Sequence, residues 1–148
     1  MTDSDLKAMT ADLEAETFDE TAFTLPVPLD QAKVAIVTSA SLHHPDDDDF
    51  APTDTGYRIL HADRRDYVLG HWSPNLDSTG YAADINTVFP IDRLDELAEA
   101  GTIGSVSDIH LAYAGNQFEL SAIRMDTGPA GAAYLKEQGV DVVLLTPI

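Results

Sequence analysis

Lys33-Val34-Ala35-Ile36-Val37-Thr38 decides the fold. It is a short continuous run, rich in β-branched residues, with no polar alternation. Such a run suits a strand buried on both faces, as in a parallel sheet. Val140 to Leu145 is a second run of this kind and the most apolar. Asp108 to Tyr113 and Tyr67 to His71 read as further strands, and Tyr57 to Leu60 as an extended segment. Helical patterns lie between them. In Pro90 to Ala100, Ile91, Leu94, Leu97 and Ala98 share one face and Gly101 supplies the stop. Phe118 to Met125 is a second predicted helix, interrupted by Gly128-Pro129. Pro129 suits the first position of another helix, which ends at Gly139. Strands alternating with helices predict a Rossmann-like α/β fold, a parallel sheet wound right-handedly with flanking helices. A helix would normally follow the last strand, so the sheet is expected to be incomplete at the C-terminus.

Ahead of this domain, residues 1–20 are polar and acidic. Leu6, Met9 and Leu13 recur at helical spacing, which predicts a short surface helix over Asp5 to Glu16. Leu25-Pro26-Val27-Pro28-Leu29 reads as an extended lead-in, because each proline lacks an N–H. The expected organisation is an acidic extension over 1–24 and one α/β domain over 25–148. No internal repeat or linker divides it.

Eight Lys and Arg against 26 Asp and Glu leave a formal charge of −18 among 148 residues. Apolar residues make up 44 %, enough for a packed core rather than a disordered acidic tail. Nucleic acid is an unsuitable partner, because phosphate binding needs clustered Lys and Arg. An anionic membrane surface is equally unsuitable. No apolar run approaches a membrane span, and no basic segment precedes an apolar stretch near Met1, so a cytoplasmic location is expected. The chain has no cysteine, which excludes disulfides, thiolate metal sites and a thiol nucleophile within these residues.

In open α/β sheets ligands sit beyond the carboxyl ends of the strands. That rule selects Thr38, Ser39, Ser41 and His43 after the first strand, and His71, Ser73, Asn75 and Asp77 after the next. Ala114, Gly115 and Asn116 follow the third, and Thr146 and Pro147 the last. Residues 72–87 form a long polar loop, the kind that is more often functional than idle. His71 opens it and suits general acid–base work near neutral pH, whereas His110 lies inside a strand. His43-His44-Pro45 with Asp46 to Asp49 offers imidazole and carboxylate to a metal, but adjacent histidines point in different directions. The acidic run reads as a solvated loop, and no metal site is assigned. Arg58, Arg64, Arg65 and Arg93 are expected in surface ion pairs. Dinucleotide, P-loop, serine-hydrolase and zinc-protease motifs are absent.

Four stretches carry a resemblance. They are Val34-Ala-Ile-Val-Thr-Ser-Ala-Ser-Leu-His43, His71-Trp-Ser-Pro-Asn-Leu-Asp-Ser-Thr-Gly80, and Asp84-Ile-Asn-Thr-Val-Phe-Pro-Ile-Asp-Arg-Leu94 with Gly101-Thr-Ile-Gly-Ser-Val106 after it. The last is Gly139-Val-Asp-Val-Val-Leu-Leu-Thr-Pro-Ile148. Together, from about Leu25 to Ile148, they resemble the amino-terminal part of the selenoprotein B family of glycine, sarcosine, betaine and D-proline reductases. The resemblance implies a selenocysteine, or a cysteine, immediately after the strand ending Thr146-Pro147-Ile148. It implies reductive cleavage of a C–N bond in a small amine or amino acid. It also implies a partner subunit carrying a pyruvoyl group and a thiol or selenol electron-transfer protein. Thr38, His43, His71, Asn75, Asp77 and Asn86 lie in the matching stretches and are the candidates for lining the substrate site.

The chain stops where the reactive residue is expected. Selenocysteine is encoded by UGA, ordinarily read as a stop, so a longer selenoprotein is expected, with this chain as its amino-terminal part and no redox chemistry of its own. A non-catalytic α/β scaffold or regulatory subunit is the alternative if the chain is complete. A small metal-binding protein using the His-Asp loop is a third reading.

Overall fold

The computed structural model describes residues 24–73, 76, 78–117 and 119–148, together with Ser4 and Ala8. The helix expected over Asp5 to Glu16 falls almost wholly outside the described residues.

The described residues form seven strands: β1 (Lys33–Thr38), β2 (Leu42–His43), β3 (Tyr57–His61), β4 (Val68–Leu69), β5 (Ser105–Val106), β6 (Ile109–Tyr113) and β7 (Val142–Thr146). The helices are α1 (Ser78–Ala83), α2 (Ile91–Glu99) and α3 (Gly128–Glu137). β1 is the sheet centre, as its apolar run requires. β5 and β6 lie end to end along one of its edges, in register Lys33↔Ser105 and Thr38↔Ala112. β7 lies parallel along the other edge, from Val34↔Val142 to Thr38↔Thr146. β3 closes the far side of β6 and runs antiparallel to it, so the sheet is mostly rather than wholly parallel. β2 and β4 form a separate antiparallel ribbon. Only Val68 and Leu69 of the predicted Tyr67–His71 strand are paired, and the long polar loop contains α1. No helix among the described residues is long and apolar enough to cross a membrane.

Alternate residues of β1 feed two clusters on opposite faces of the sheet. Val34 and Ile36 pack with Leu42, Leu60, Phe89 and Leu94 under α2. Ala35 packs with Ile109, Leu111 and Leu135 under α3. Between β5 and β6 the chain bulges at Ser107-Asp108, and His110 fills the gap. Its Nδ1 accepts the Ile36 N–H at 2.8 Å, taking the place of a ladder bond.

Gly128-Pro129 does not end a helix. A π-helical turn, Ile123–Thr127, runs straight into α3, with the Gly128 N–H bonded to the Ile123 carbonyl five residues back. The wider turn accommodates the proline, which has no N–H to place. Only glycine fits at 128, since a Cβ would collide with that same carbonyl.

β7 has no strand on its outer edge among the described residues. Val143 and Leu144 are exposed and Leu145 is 68 % exposed, an apolar strand with one side free. Buried-type sequence at an open edge is what soluble proteins ordinarily cover.

Candidate active site at the carboxyl edge of the sheet

The carboxyl ends of β1, β6 and β7 converge, held by hydroxyl side chains bonded to backbone. Thr38 Oγ1 donates to the Val88 carbonyl at 3.0 Å and accepts the Ala40 N–H at 3.2 Å. Thr146 Oγ1 donates to the same Val88 carbonyl at 3.0 Å. The segment before α2 therefore pins the ends of both parallel strands. Ser39 Oγ accepts the Ile148 N–H at 2.8 Å and donates to the Ile148 carbonyl at 3.4 Å.

Ser41 knots three elements. Its N–H donates to Tyr113, its hydroxyl accepts from Gly115 N–H at 3.1 Å, and its carbonyl accepts from Gly70 N–H at 2.9 Å. It does so with φ at +54°, and Asn116 at the end of β6 has φ +58°. Left-handed conformations at residues other than glycine cost energy and concentrate at functional sites.

His71 sits against this knot. Its Nδ1 accepts the Ser73 N–H at 3.2 Å, which leaves the ring proton on Nε2. Nε2 is buried and has no hydrogen-bond partner among the described residues. Burial lowers the pKa of the ring below the usual histidine value, favouring the neutral form. His71, Ser73, Leu76, Asn116 and Ile148 line a cavity of about 290 Å³. This is near the lower limit for ligand pockets. Asn116 also lines a larger apolar cavity of about 600 Å³ between the sheet and α3, bounded by Leu111, Tyr113, Leu135, Val143 and Leu145.

Of the six candidate residues, His71 alone is described on the wall of the smaller cavity. Thr38 lies at the same edge, lining the larger cavity with its hydroxyl committed to backbone. His43 is buried in β2, with Nδ1 donating to the His44 carbonyl at 2.9 Å and Nε2 3.5 Å from Asp49. Asn86 caps α2: its Oδ1 accepts the Asp92 N–H at 3.1 Å, and its Nδ2 donates to Asp84 and Asp92. Asn75 and Asp77 lie outside the described residues. Ser39, Gly115 and Asn116 join His71 at the edge. The strand-end rule selects them, but nothing in residue type ranks them above their neighbours.

Replacing Asn86 with alanine removes one of the bonds that satisfy the first turn of α2. The expected loss is about 1 kcal/mol, read as a lower urea midpoint at unchanged slope.

The two adjacent histidines do face different ways. His44 Nε2 accepts the His61 N–H at 3.0 Å, so its Nδ1 carries the proton and donates to Asp66 at 3.0 Å. Among the described residues, no group of three or more His, Asp or Glu is placed to hold a metal. The arginines are in surface pairs, Arg58 with Asp54, Arg64 with Asp46 and Asp66, Arg65 with Asp95 and Arg93 with Glu96. The Arg64 guanidinium holds the Asp66 carboxyl down at about 2.

A mostly parallel α/β sheet with flanking helices and a small cavity beyond its strand ends makes this an open-sheet α/β protein, a class in which ligands sit at the carboxyl edge. The glycine/sarcosine/betaine reductase selenoprotein B family model matches residues 5–148, and the chain belongs to that family. It is 35 % identical over 116 residues to the D-proline reductase subunit gamma of Acetoanaerobium sticklandii. The match covers 76 % of this chain and 47 % of that protein, so the chain spans about half the length of the curated relative. No solved structure matches.

Proposed function

We propose that this chain is the amino-terminal part of the nucleophile-bearing subunit of a glycine-, betaine-, sarcosine- or D-proline-type reductase. The reactive selenocysteine or cysteine follows Ile148. The observation that carries the reading is the clamped end of β7. Thr146 and Ile148 are tied to Val88 and Ser39 at the mouth of a cavity that holds His71. A residue continuing from Ile148 would start from a fixed point on the wall that His71 shares. Positioning of this kind supplies much of the rate in reactions between a nucleophile and a bound substrate.

When present, the selenol or thiol supplies the nucleophile for reductive C–N cleavage, and a pyruvoyl group on a partner subunit holds the substrate amine. This chain's residues fit that chemistry. The cavity is small, and His71 and Asn116 are among the residues that line it. A thiol or selenol electron-transfer protein returns the oxidised site to its reduced state. All of this suits a cytoplasmic protein.

The coding sequence beyond the Ile148 codon tests the reading. A UGA or cysteine codon in a frame that continues through further α/β pattern is the expected result. A UAA or UAG with no continuing frame overturns it and favours a non-catalytic α/β subunit.

A further inference from the structure

The larger cavity lies on the α3 face of the sheet. Part of its wall is a row of side chains across three strands, Leu111, Val37 and Leu145, which the register sets side by side. Gly128 and Ala132 on the helix side put little bulk into it, and about 600 Å³ stays open. Protein interiors leave few voids larger than a water molecule, so packing within this chain does not account for a space of this size.

Topology gives the cavity its mouth. β1 and β6 are neighbours at their carboxyl ends, with Thr38 beside Ala112. The connection after β1 leads to α2 on one face, and the connection after β6 leads to α3 on the other. Neighbouring strands whose connections part in this way form a topological switch point, where open α/β sheets bind ligands. Ser39 and Asn116 line the cavity there, just past the two strand ends. Asn116 is exposed, holds a left-handed φ of +58° and lines the smaller cavity as well. One residue thus borders both spaces.

Charge selects the ligand. Among the described residues, no Lys, Arg, Asp or Glu lines either cavity. A carboxylate entering the larger one meets no cation, and the formal −18 of the protein repels anions and draws cations. The walls suit an apolar body, and the field of the protein favours a positive group at the mouth.

We propose that the larger cavity takes the apolar body of a cationic amine substrate, with the ammonium at the mouth between Ser39 and Asn116. That body is larger than those of glycine, sarcosine, betaine or proline. An apolar space of this volume with a few polar groups is the usual form of a small-ligand site. The role of the amine as substrate rests on the reductase reading; its binding in the cavity does not.

The test uses the complete polypeptide encoded at the locus, labelled at its Ile, Leu and Val methyl groups. It is titrated with phenethylamine and with 3-phenylpropionate, which has nearly the same shape and the opposite charge. Phenethylamine is expected to shift the methyl resonances of Val37, Leu111 and Leu145. It is expected to bind at least about tenfold more tightly than the acid at low salt, a difference that shrinks as salt is added. Ala132→Phe adds bulk from an exposed helix position and is expected to weaken phenethylamine binding at least about tenfold at an unchanged urea midpoint. Methyl resonances that do not move overturn the proposal, as they would if later residues of the polypeptide filled the cavity. Equal binding of amine and acid overturns it, and so does undiminished binding in Ala132→Phe. Should that variant not fold, the titrations of the unsubstituted protein decide. A reading frame that ends at Ile148 removes the reductase reading and leaves the binding result standing.

Discussion

Replacing Phe89 with alanine is expected to lower the stability of the protein by about 3–5 kcal/mol. Phe89 is fully buried in the cluster under α2. Its ring meets Tyr67 edge-on at 5.2 Å and His110 edge-on at 5.2 Å. The hole left behind borders the Tyr67 and His110 rings, and the cost depends on how far they close it. The loss is a large share of the 5–15 kcal/mol typical of a domain. It also reaches the candidate site, because Phe89 anchors the segment whose Val88 carbonyl receives both threonine hydroxyls. Urea unfolding measures the effect. Phe89→Leu, which refills most of the volume, is expected to lose far less. A loss below about 1 kcal/mol for the alanine variant would mean that the cluster repacks around the gap.

Acid is expected to begin weakening the protein above the range in which its carboxylates titrate. His110 is fully buried, and burial drives its pKa from 6.5 down to about 4. Its Nδ1 must stay unprotonated to accept the Ile36 N–H, and its Nε2 has no partner among the described residues. Above pH 6.5 the ring is neutral in both folded and unfolded chains, and this contribution is complete. Between pH 6.5 and 4 the unfolded chain takes up a proton that the folded one refuses. Stability therefore falls with pH through that window, by about 3 kcal/mol in all, and levels off below it. His71, also lowered by burial, adds in the same direction. The exposed Asp66 carboxyl, held at about 2 by Arg64, acts only below the window. Denaturant titrations at pH 7 and pH 4.5 measure the difference. His110→Phe is expected to flatten the pH dependence while leaving the Ile36 N–H unpaired, at a cost of about 1–3 kcal/mol at pH 7.

The block Asp84 to Leu94, the most specific part of the family resemblance, is chiefly a brace among the described residues. Asn86 caps α2, Phe89 fills the core, and Val88 holds the ends of β1 and β7. A motif marks that residues are needed without saying whether they touch a substrate or hold what does. His71 and Asn86 both lie in matching stretches. The first lines a cavity and has a buried N–H without a partner among the described residues, and the second has its amide used in bonds to Asp84 and Asp92.

The amino-acid pattern suffices for β1, β6, β7 and α2, because continuous apolar runs mark strands and a helical stripe marks a core-facing helix side. The exposure of Val143 to Leu145 in β7 is not legible in that pattern. The crowding of polar residues at the strand ends follows from the parallel order. The rest depends on partners distant in sequence. The antiparallel direction of β3 is not legible locally, because its partners in β6 lie about fifty residues away and local pattern carries no direction. The π turn absorbs Gly128-Pro129 because α3 continues over the sheet. Ser39 meets Ile148 across 109 residues, and Thr38 meets Val88 across 50. Side-chain hydrogen bonds are short-ranged, so whether a given hydroxyl or imidazole is spent on the backbone or left free is settled only when the strands assemble. That is why the sequence alone does not show which polar groups at the strand ends are spent on the backbone, and why the unpartnered N–H of His71 appears only in the fold.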